Sequence, residues 1–230
     1  MRYVHGGVRG SAAETWMILA MDALRLPDGP LEVLCVGAHP DDVEIGCGGT
    51  LQRLAERADL QLTVAVLTGT PDRAAESMCA LQEILPSVKT HFAALPDGRL
   101  PTHWEAAKEH LEDIARHCRP QLVLAPRVDD AHQDHRTLGL MVTTVWRDAL
   151  VLHFELPKWD GDMGAPSHYV GLTRDQARHK VEILNRHFPS QHAHDWWDDE
   201  VFFGLMRLRG MECRRPYAEA FHVSKALLEV

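Results

Sequence analysis

The sequence lacks the features that define several classes of protein. No run of apolar residues reaches the roughly 18 that a membrane-spanning helix needs, and no internal repeat or low-complexity tract is present. The formal net charge is −9, without a basic stripe or a patch of lysine and arginine interleaved with aromatics. We therefore expect no membrane span and no nucleic-acid partner.

Cysteine is scarce and its spacing is irregular. The five cysteines are scattered, odd in number and form no Cys-x-x-Cys pair. This pattern predicts free thiols in a reducing cytoplasm rather than a disulfide framework. The apolar residues 15–21 resemble the core of an export signal, but Asp22 and Arg25 interrupt them and no small-residue cleavage site follows. An amphipathic helix packed on the domain is the expected structure there.

From residue 31 onward, apolar runs typical of strands alternate with segments of helical periodicity. Strands are predicted at residues 31–36, 62–67, 88–94, 122–125, 151–156 and 217–223. Helices are predicted at residues 48–58, 73–85, 105–117, 136–150, 173–187 and 200–209, with a loop over 158–167. This alternation predicts an α/β fold, Rossmann-like, with three α/β/α layers around a mostly parallel sheet. A single domain over residues 1–230 is expected, with residues 1–30 as an N-terminal extension.

Chemically active side chains follow the first predicted strand. His39, Asp41 and Asp42 come directly after the apolar residues 34–38 and before the glycine-rich residues 46–49. In open α/β sheets, ligands bind in the crevice beyond the carboxyl ends of the strands. These three residues are therefore candidates for a functional site.

A second cluster follows another apolar run, at residues 121–126. It contains His132, Asp134 and His135. Two predicted strand ends thus offer histidines and aspartates, the residue types of a metal-dependent hydrolase.

The two clusters together supply the ligands of a hydrolytic metal site. Such a site needs about three protein ligands and one open position. His39 and Asp42 are close enough in sequence for one turn to direct both at a common point, and His135 is placed to be the third ligand. Two imidazoles and a carboxylate suit Zn²⁺, although iron, cobalt and manganese also accept such ligands.

The remaining residues of the clusters suit acid–base roles. Asp41, next to a ligand, is a candidate to accept a proton from the attacking water. His132 is a candidate to stabilise an oxyanion or to protonate the leaving amine. Asp134 is a candidate to orient His132 or His135.

The glycines at 46–49 admit two interpretations. They follow a strand, as phosphate-binding glycines do, but they do not form Gly-x-Gly-x-x-Gly, and no Gly-Lys-Ser/Thr is present. We favour the interpretation that they allow close packing of a helix on a strand.

Residues 38–50 resemble the signature of the LmbE-like, or PIG-L, family of zinc-dependent N-acetylglucosamine de-N-acetylases. Further segments that resemble the family are residues 67–69 with Arg73, the Leu-Pro-Asp-Gly loop at 95–98, residues 131–136, Lys180 with residues 190–191, and residues 217–221. The resemblance covers roughly residues 31–223. Gln133 departs from it, since family members often carry proline at that position.

The resemblance implies roles for residues at matching positions. It implies that His39, Asp42 and His135 bind the metal, that Asp41 is the general base and that His132 stabilises the oxyanion or acts as the acid.

It also implies that Arg73 and Asp97 contact the sugar. The alternatives are an ion pair of Arg73 with Glu76 on an exposed helix face and a simple Asp-Gly turn at Asp97.

The implied activity is hydrolysis of the N-acetyl group of an amino-sugar conjugate. The alternatives are an amidase acting on a non-sugar acylated amine, and a non-catalytic sugar- or nucleotide-binding module. Asp41 and Asp42 argue against the nucleotide-binding module, because their negative charges would repel the phosphates of a nucleotide that no metal bridges.

Residues 1–30 have no counterpart in the family. They either support a homo-oligomer, close over the site or cover an apolar face, and we favour the last.

The tryptophan pair Trp196 and Trp197, near His192 and His194, has two interpretations. It either forms an aromatic wall for a ring or packs the C-terminal helix on the core.

Overall fold

A computed structural model describes residues 23–227 of the chain. The strands are β1 (Leu31–Gly37), β2 (Leu60–Thr68), β3 (Lys89–Leu95), β4 (Leu122–Pro126), β5 (Leu150–Phe154), β6 (His168–Leu172) and β7 (Tyr217–Val223). The α-helices are α1 (Asp42–Ala55), α2 (Pro71–Ile84), α3 (Trp104–Ala115), α4 (Gln133–Val145), α5 (Arg174–His187) and α6 (Asp199–Glu212). In the described part of the chain, short 3₁₀ helices occupy Leu100–His103 and Pro189–Gln191.

The seven strands form one sheet in the order β3-β2-β1-β4-β5-β7-β6. The strands from β3 to β5 are parallel to their neighbours, whereas β7 runs antiparallel to β5 and β6. The mostly parallel sheet predicted from the sequence is confirmed. Because β1 and β4 are parallel neighbours, the residues that follow them leave the sheet at the same edge.

Helices cover both faces of the sheet, which confirms the three-layer architecture. Along β1, Val33 and Cys35 face a core shared with α1, α2, α5 and α6. Leu34 and Val36 face a second core shared with α3 and α4. The central strand is buried on both faces, as expected for an apolar run in a parallel sheet.

Helix α1 is broken in its middle by a buried ion pair. Cys47 has non-helical dihedral angles (φ −146°, ψ 17°). The ammonium of Lys180 donates to the carbonyl of Ile45 and lies 2.6 Å from Glu219 Oε1. The Glu219 carboxylate accepts the backbone N–H groups of Gly49 (2.8 Å) and Thr50 (2.6 Å). The pair thus satisfies backbone groups on both sides of the break, as helix caps do.

Two glycines of α1 allow this helix to pack directly on strands. A Cβ added to Gly46 would lie 2.3 Å from Phe154 Cδ2 on β5, and one added to Gly49 would lie 2.5 Å from Leu172 Cδ1 on β6. The interpretation of these glycines as packing residues is confirmed.

Several predicted boundaries differ from the structure. Helix α1 begins at Asp42, six residues before the predicted residue 48, because the residues around the break are helical on both sides. Strand β6 was not predicted: it is short, contains a glycine and pairs only with β7, so it lacks an apolar run. Thr173, the first residue of the helix predicted at 173–187, is the N-cap of α5, and its side chain accepts the N–H of Gln176 in a capping box.

The amphipathic helix predicted at residues 15–21 lies outside the described residues. Within residues 23–227, no helix is both long and apolar enough to cross a membrane.

Removing one partner of the buried ion pair should destabilise the fold strongly. Lys180→Met leaves the Glu219 carboxylate buried without its counter-charge, and we expect a loss of about 3–5 kcal/mol in the free energy of unfolding. Urea unfolding followed by circular dichroism measures this loss. The matched control is Arg178→Met, which removes the exposed pair with Asp175 and should cost less than about 1 kcal/mol. Similar losses for the two variants would contradict the role of the buried pair.

Candidate active site

The turn between β1 and α1 fixes the first cluster. Asp41 adopts the left-handed conformation (φ 115°) at the start of α1. The next residue, Asp42, accepts the backbone N–H groups of Ala38 (2.8 Å) and His39 (2.9 Å) with its Oδ2 atom. The carboxylate of Asp42 therefore stabilises the turn through two hydrogen bonds to its backbone, and the ring of His39 lies beside this carboxylate.

The start of α4 brings the second cluster to the same place. His39 Nδ1 lies 3.1 Å from His135 Nε2. Asp42 Oδ1 lies 3.3 Å from the same nitrogen of His135, and Asp42 Oδ2 lies 3.6 Å from His39 Nδ1. The three residues predicted as metal ligands are thus brought together, all of them buried.

The spacing of these atoms is compatible with a shared metal ion. Metal–ligand bonds of about 2.0–2.1 Å in tetrahedral geometry separate neighbouring ligand atoms by about 3.3 Å. The two imidazole nitrogens are 3.1 Å apart, and each faces a different oxygen of Asp42, His135 at 3.3 Å from Oδ1 and His39 at 3.6 Å from Oδ2. Two imidazoles and one carboxylate are also a donor set that zinc accepts.

Among residues 23–227, two other groups of side chains have ligand atoms within 4.8 Å of one another: His39 with His132 and His135, and His39 with Asp97 and Asp134. We favour the set containing Asp42 because its Oδ1 atom faces His135 while Oδ2 takes the two backbone N–H groups. His39 directs its other nitrogen, Nε2, at Asp97 (3.1 Å) and Asp134 (3.4 Å).

His132 caps helix α4 and faces the same space. Its Nδ1 atom accepts the N–H of Asp134 (3.3 Å), so the proton of the neutral ring is on Nε2. Burial, followed by the neighbouring rings of His135 and His39, lowers the pKa of His132. A neutral ring with an Nε2–H donor is suited to hydrogen-bonding an oxyanion.

Asp41 is buried beside the guanidinium of Arg73. Burial raises the pKa of Asp41 to about 7, against the opposing effect of Arg73 and with the support of Asp42. Arg73 Nη2 donates to Asp41 Oδ2 and to the carbonyl of Pro40, both at 2.8 Å. A carboxylate with a pKa near neutrality suits a general base.

The alternative partner proposed for Arg73 is wrong. Glu76 does not pair with Arg73; it accepts hydrogen bonds from the backbone N–H and the hydroxyl of Ser190. Arg73 Nη1 also lies 3.7 Å from Asp97 Oδ2. Asp97 has a half-exposed side chain and contacts His39 as well, so it does more than form an Asp-Gly turn.

Asp134 does not orient His132 or His135, as was predicted, but contacts other groups. Its carboxylate accepts the backbone N–H groups of Gly98 (2.8 Å) and Leu100 (3.0 Å). Its Oδ2 atom is 3.4 Å from His39 Nε2. The carboxylate therefore supports His39 and the loop that carries Asp97, rather than the rings of His132 or His135.

Sequence reasoning missed Asp130, which contacts a predicted metal ligand. Asp130 Oδ1 lies 3.3 Å from His135 Nδ1 and 3.1 Å from Lys158 Nζ, and it accepts the N–H of His132 (2.8 Å). Burial opposes ionisation, but His135 and Lys158 lower the pKa of Asp130. A carboxylate behind a ligating histidine fixes the orientation of the ring.

Trp197 packs on the core, as one of the two interpretations of the tryptophan pair predicts. Its ring centroid lies 5.2 Å from Phe202 on α6 and 5.8 Å from Phe188. Trp196 is only partly buried; it packs against Trp197 (5.5 Å) and also contacts the rings of Trp159 and His194.

Comparison with known proteins places the chain in a family. The family described as PIG-L, GlcNAc-PI de-N-acetylase, matches residues 34–146. A protein of Escherichia coli strain K12, the uncharacterized deacetylase YaiS, is 37% identical over 168 residues, which cover 67% of this chain and 89% of that protein. The chain belongs to the PIG-L family, as its motifs indicated.

Two further proteins are similar over shorter or more divergent ranges. The diacetylchitobiose deacetylase of Thermococcus kodakarensis is 33% identical over 127 residues, covering 48% of this chain and 47% of that enzyme. The structure of N,N'-diacetylchitobiose deacetylase from Pyrococcus horikoshii, in complex with its inhibitor MPG, superposes with a TM-score of 0.67. The superposition covers 84% of this chain and 83% of the Pyrococcus horikoshii chain, with 20% sequence identity. At this identity the similarity shows a shared fold.

Replacing Asp130 should weaken metal binding without removing a ligand. Asp130→Asn removes the charge behind His135, and we expect about a 10- to 100-fold loss of zinc affinity, measured by competition with a chromogenic chelator. Asp129→Asn is the matched control, because Asp129 is 69% exposed and pairs with Arg127. Equal affinities for the two variants would contradict the role assigned to Asp130.

Proposed function

We propose that this protein is a metal-dependent hydrolase that removes the N-acetyl group from an N-acetylglucosamine-type amino sugar or conjugate. The observation that carries the proposal is the convergence of His39 Nδ1, His135 Nε2 and the Asp42 carboxylate at separations of 3.1–3.6 Å. Membership of the PIG-L family and the diacetylchitobiose deacetylase relative support the choice of an acetylated amino sugar.

His39, Asp42 and His135 would hold the metal, for which we propose zinc. When bound, zinc acts as a Lewis acid that activates water and polarises the acetamide carbonyl.

The five cysteines, of which Cys79 alone is exposed, are free thiols, and none of them is among the proposed metal ligands. Free thiols are also the basis for proposing a cytoplasmic location.

Asp41 would act as the general base. It accepts a proton from the attacking water, and its pKa of about 7 leaves it able to take and return a proton at neutral pH. Arg73, 2.8 Å away, fixes the direction of this carboxylate. The carboxyl of Asp41 is near enough to His39 and His135 for the charges of these rings to lower its pKa, in opposition to burial.

His132 would stabilise the oxyanion that forms when the carbonyl is attacked. Its Nδ1 atom accepts the backbone N–H of Asp134 at the start of α4, so its Nε2–H group is available to donate a hydrogen bond to the oxyanion. When the C–N bond breaks, acetate leaves and the amine takes the proton that Asp41 removed from water, while the neutral ring of His132 keeps its Nε2–H. The general base is thereby restored to its starting state.

Arg73 and Asp97 would contact the sugar. Both side chains are partly exposed, and both border the buried Asp41 and His39. Their hydrogen-bonding groups suit sugar hydroxyls, whereas the buried residues below them suit the acetamide.

Metal removal should abolish hydrolysis reversibly. We expect acetate release from N-acetylglucosamine or its glycosides to cease after treatment with a chelator and to return on addition of zinc. Coupled enzymatic detection of acetate measures this, with proton NMR to identify the free amine. Full activity of protein shown by elemental analysis to be metal-free would contradict the proposal.

Substitution of the base should separate catalysis from metal binding. Asp41→Asn keeps all three ligands, so we expect full zinc content and a loss of about 10²–10⁴-fold in kcat. His39→Ala, the comparison variant, should lose zinc affinity itself. Steady-state kinetics together with metal analysis of both variants check this. An active Asp41→Asn enzyme would exclude Asp41 as the base.

A further inference from the structure

The loop that follows β3, residues 96–99, is held by the first turn of helix α4; we name it the Asp97 loop. Asp134 accepts the backbone N–H groups of Gly98 (2.8 Å) and Leu100 (3.0 Å). The residue before it, Gln133, donates from Nε2 to the carbonyl of Gly98 (3.3 Å). The peptide groups on both sides of Gly98 are therefore bound by two neighbouring residues of one helix.

The Asp97 loop needs such contacts because its own backbone is not in a locally favoured conformation. Ala94 (φ 52°) and Gly98 (φ 71°) both adopt left-handed dihedral angles. Glycine does so readily, whereas alanine does so only where the surrounding structure imposes it. The pairing of β3 with β2 also shifts register just before the loop, between Phe92 and Leu95. The position of the loop is thus set by contacts with α4 rather than by its local sequence.

Asp97 depends on this loop for its place in the candidate active site. Its side chain is 54% exposed, and its Oδ1 atom lies 3.1 Å from His39 Nε2. Its Oδ2 atom lies 3.7 Å from Arg73 Nη1. Because Gly98 is the next residue, any movement of Gly98 moves the carboxylate of Asp97 relative to His39 and Arg73.

The backbone at the start of α4 does not require glutamine at position 133. His132 is the N-cap, with φ −71° and ψ 125°, and Gln133 is the first residue of the helix. An extended residue followed by the first helical position is the arrangement that proline accepts. The side chain at position 133 is therefore open to substitution without a change in where the helix begins.

We infer that Gln133 is a positioning residue, which keeps Asp97 in the candidate active site by binding the carbonyl of Gly98. The inference rests on the proposed function, in which Asp97 contacts the sugar. Without this hydrogen bond the half-exposed carboxylate of Asp97 moves toward solvent, and sugar binding weakens. The metal ligands and Asp41 keep their own contacts, so the change falls on KM and not on kcat.

Two substitutions of Gln133 test the inference. Gln133→Met keeps the length of the side chain without its donor, and Gln133→Pro keeps the start of the helix without the side chain. Each should raise KM for methyl N-acetyl-β-glucosaminide about 3- to 10-fold, as expected for one lost hydrogen bond, and leave kcat and zinc content within about twofold.

The matched control is Gln52→Met on α1. It removes another glutamine Nε2 that donates to a backbone carbonyl at 3.3 Å, that of Gln176. This variant should keep the KM of the unmodified protein. Equal KM values for Gln133→Met and Gln52→Met, or a loss in kcat with KM unchanged, would overturn the inference.

A double substitution shows whether Gln133 acts through Asp97. In the Asp97→Ala background the carboxylate is absent, so adding Gln133→Met should change KM by less than about twofold. The same rise in KM with and without Asp97 would refute the positioning role, because the effect would then reach the substrate by another route.

Hydrogen exchange separates this inference from the proposed function, since it needs no substrate. The backbone N–H groups of Gly98 and Leu100, followed by NMR, should exchange about tenfold faster in Gln133→Met than in Gln52→Met. Faster exchange in a protein that hydrolyses no N-acetylated sugar would support the hold of Gln133 on the loop and refute the reaction. Hydrolysis with unchanged exchange and unchanged KM would keep the reaction and refute the role of Gln133.

Discussion

The carboxylate of Asp42 is the constraint on which the site depends. One oxygen accepts two backbone N–H groups at the end of β1, and the other faces His135 on α4. A single side chain therefore fixes the β1–α1 turn and directs it at the neighbouring strand end. Because β1 and β4 are adjacent and parallel, no long side chain is needed to join the two clusters.

Buried charges support this arrangement on both sides. Lys180 and Glu219 hold the broken helix α1 behind the turn, while Lys158 and Asp130 hold the turn before α4. Burying unpaired charges is costly, so each of these groups is matched by a partner of opposite sign or by backbone groups. The same burial gives Asp41 its raised pKa. The charges that shape the fold near the site also set its chemistry.

The sequence predicted the parts that depend on local pattern. Apolar runs located the central strands, and the spacing of His39, Asp42 and His135 at two strand ends was sufficient to propose a common site. It did not predict Asp130 or the partner of Asp134, because those contacts depend on the relative positions of separate loops. Likewise, β6 is defined by pairing with β7 rather than by its own apolar residues. The break in α1 depends on groups more than 130 residues away in sequence.

The most direct test of the account is to locate the metal. Crystals soaked in zinc and measured at the zinc absorption edge should show an anomalous peak about 2.0–2.1 Å from His39 Nδ1, His135 Nε2 and an oxygen of Asp42. Such a peak would establish these three residues as the ligands and leave Asp41 and His132 for proton transfer and oxyanion stabilisation. A peak coordinated by His132 in place of Asp42, or one outside this cluster, would contradict the account.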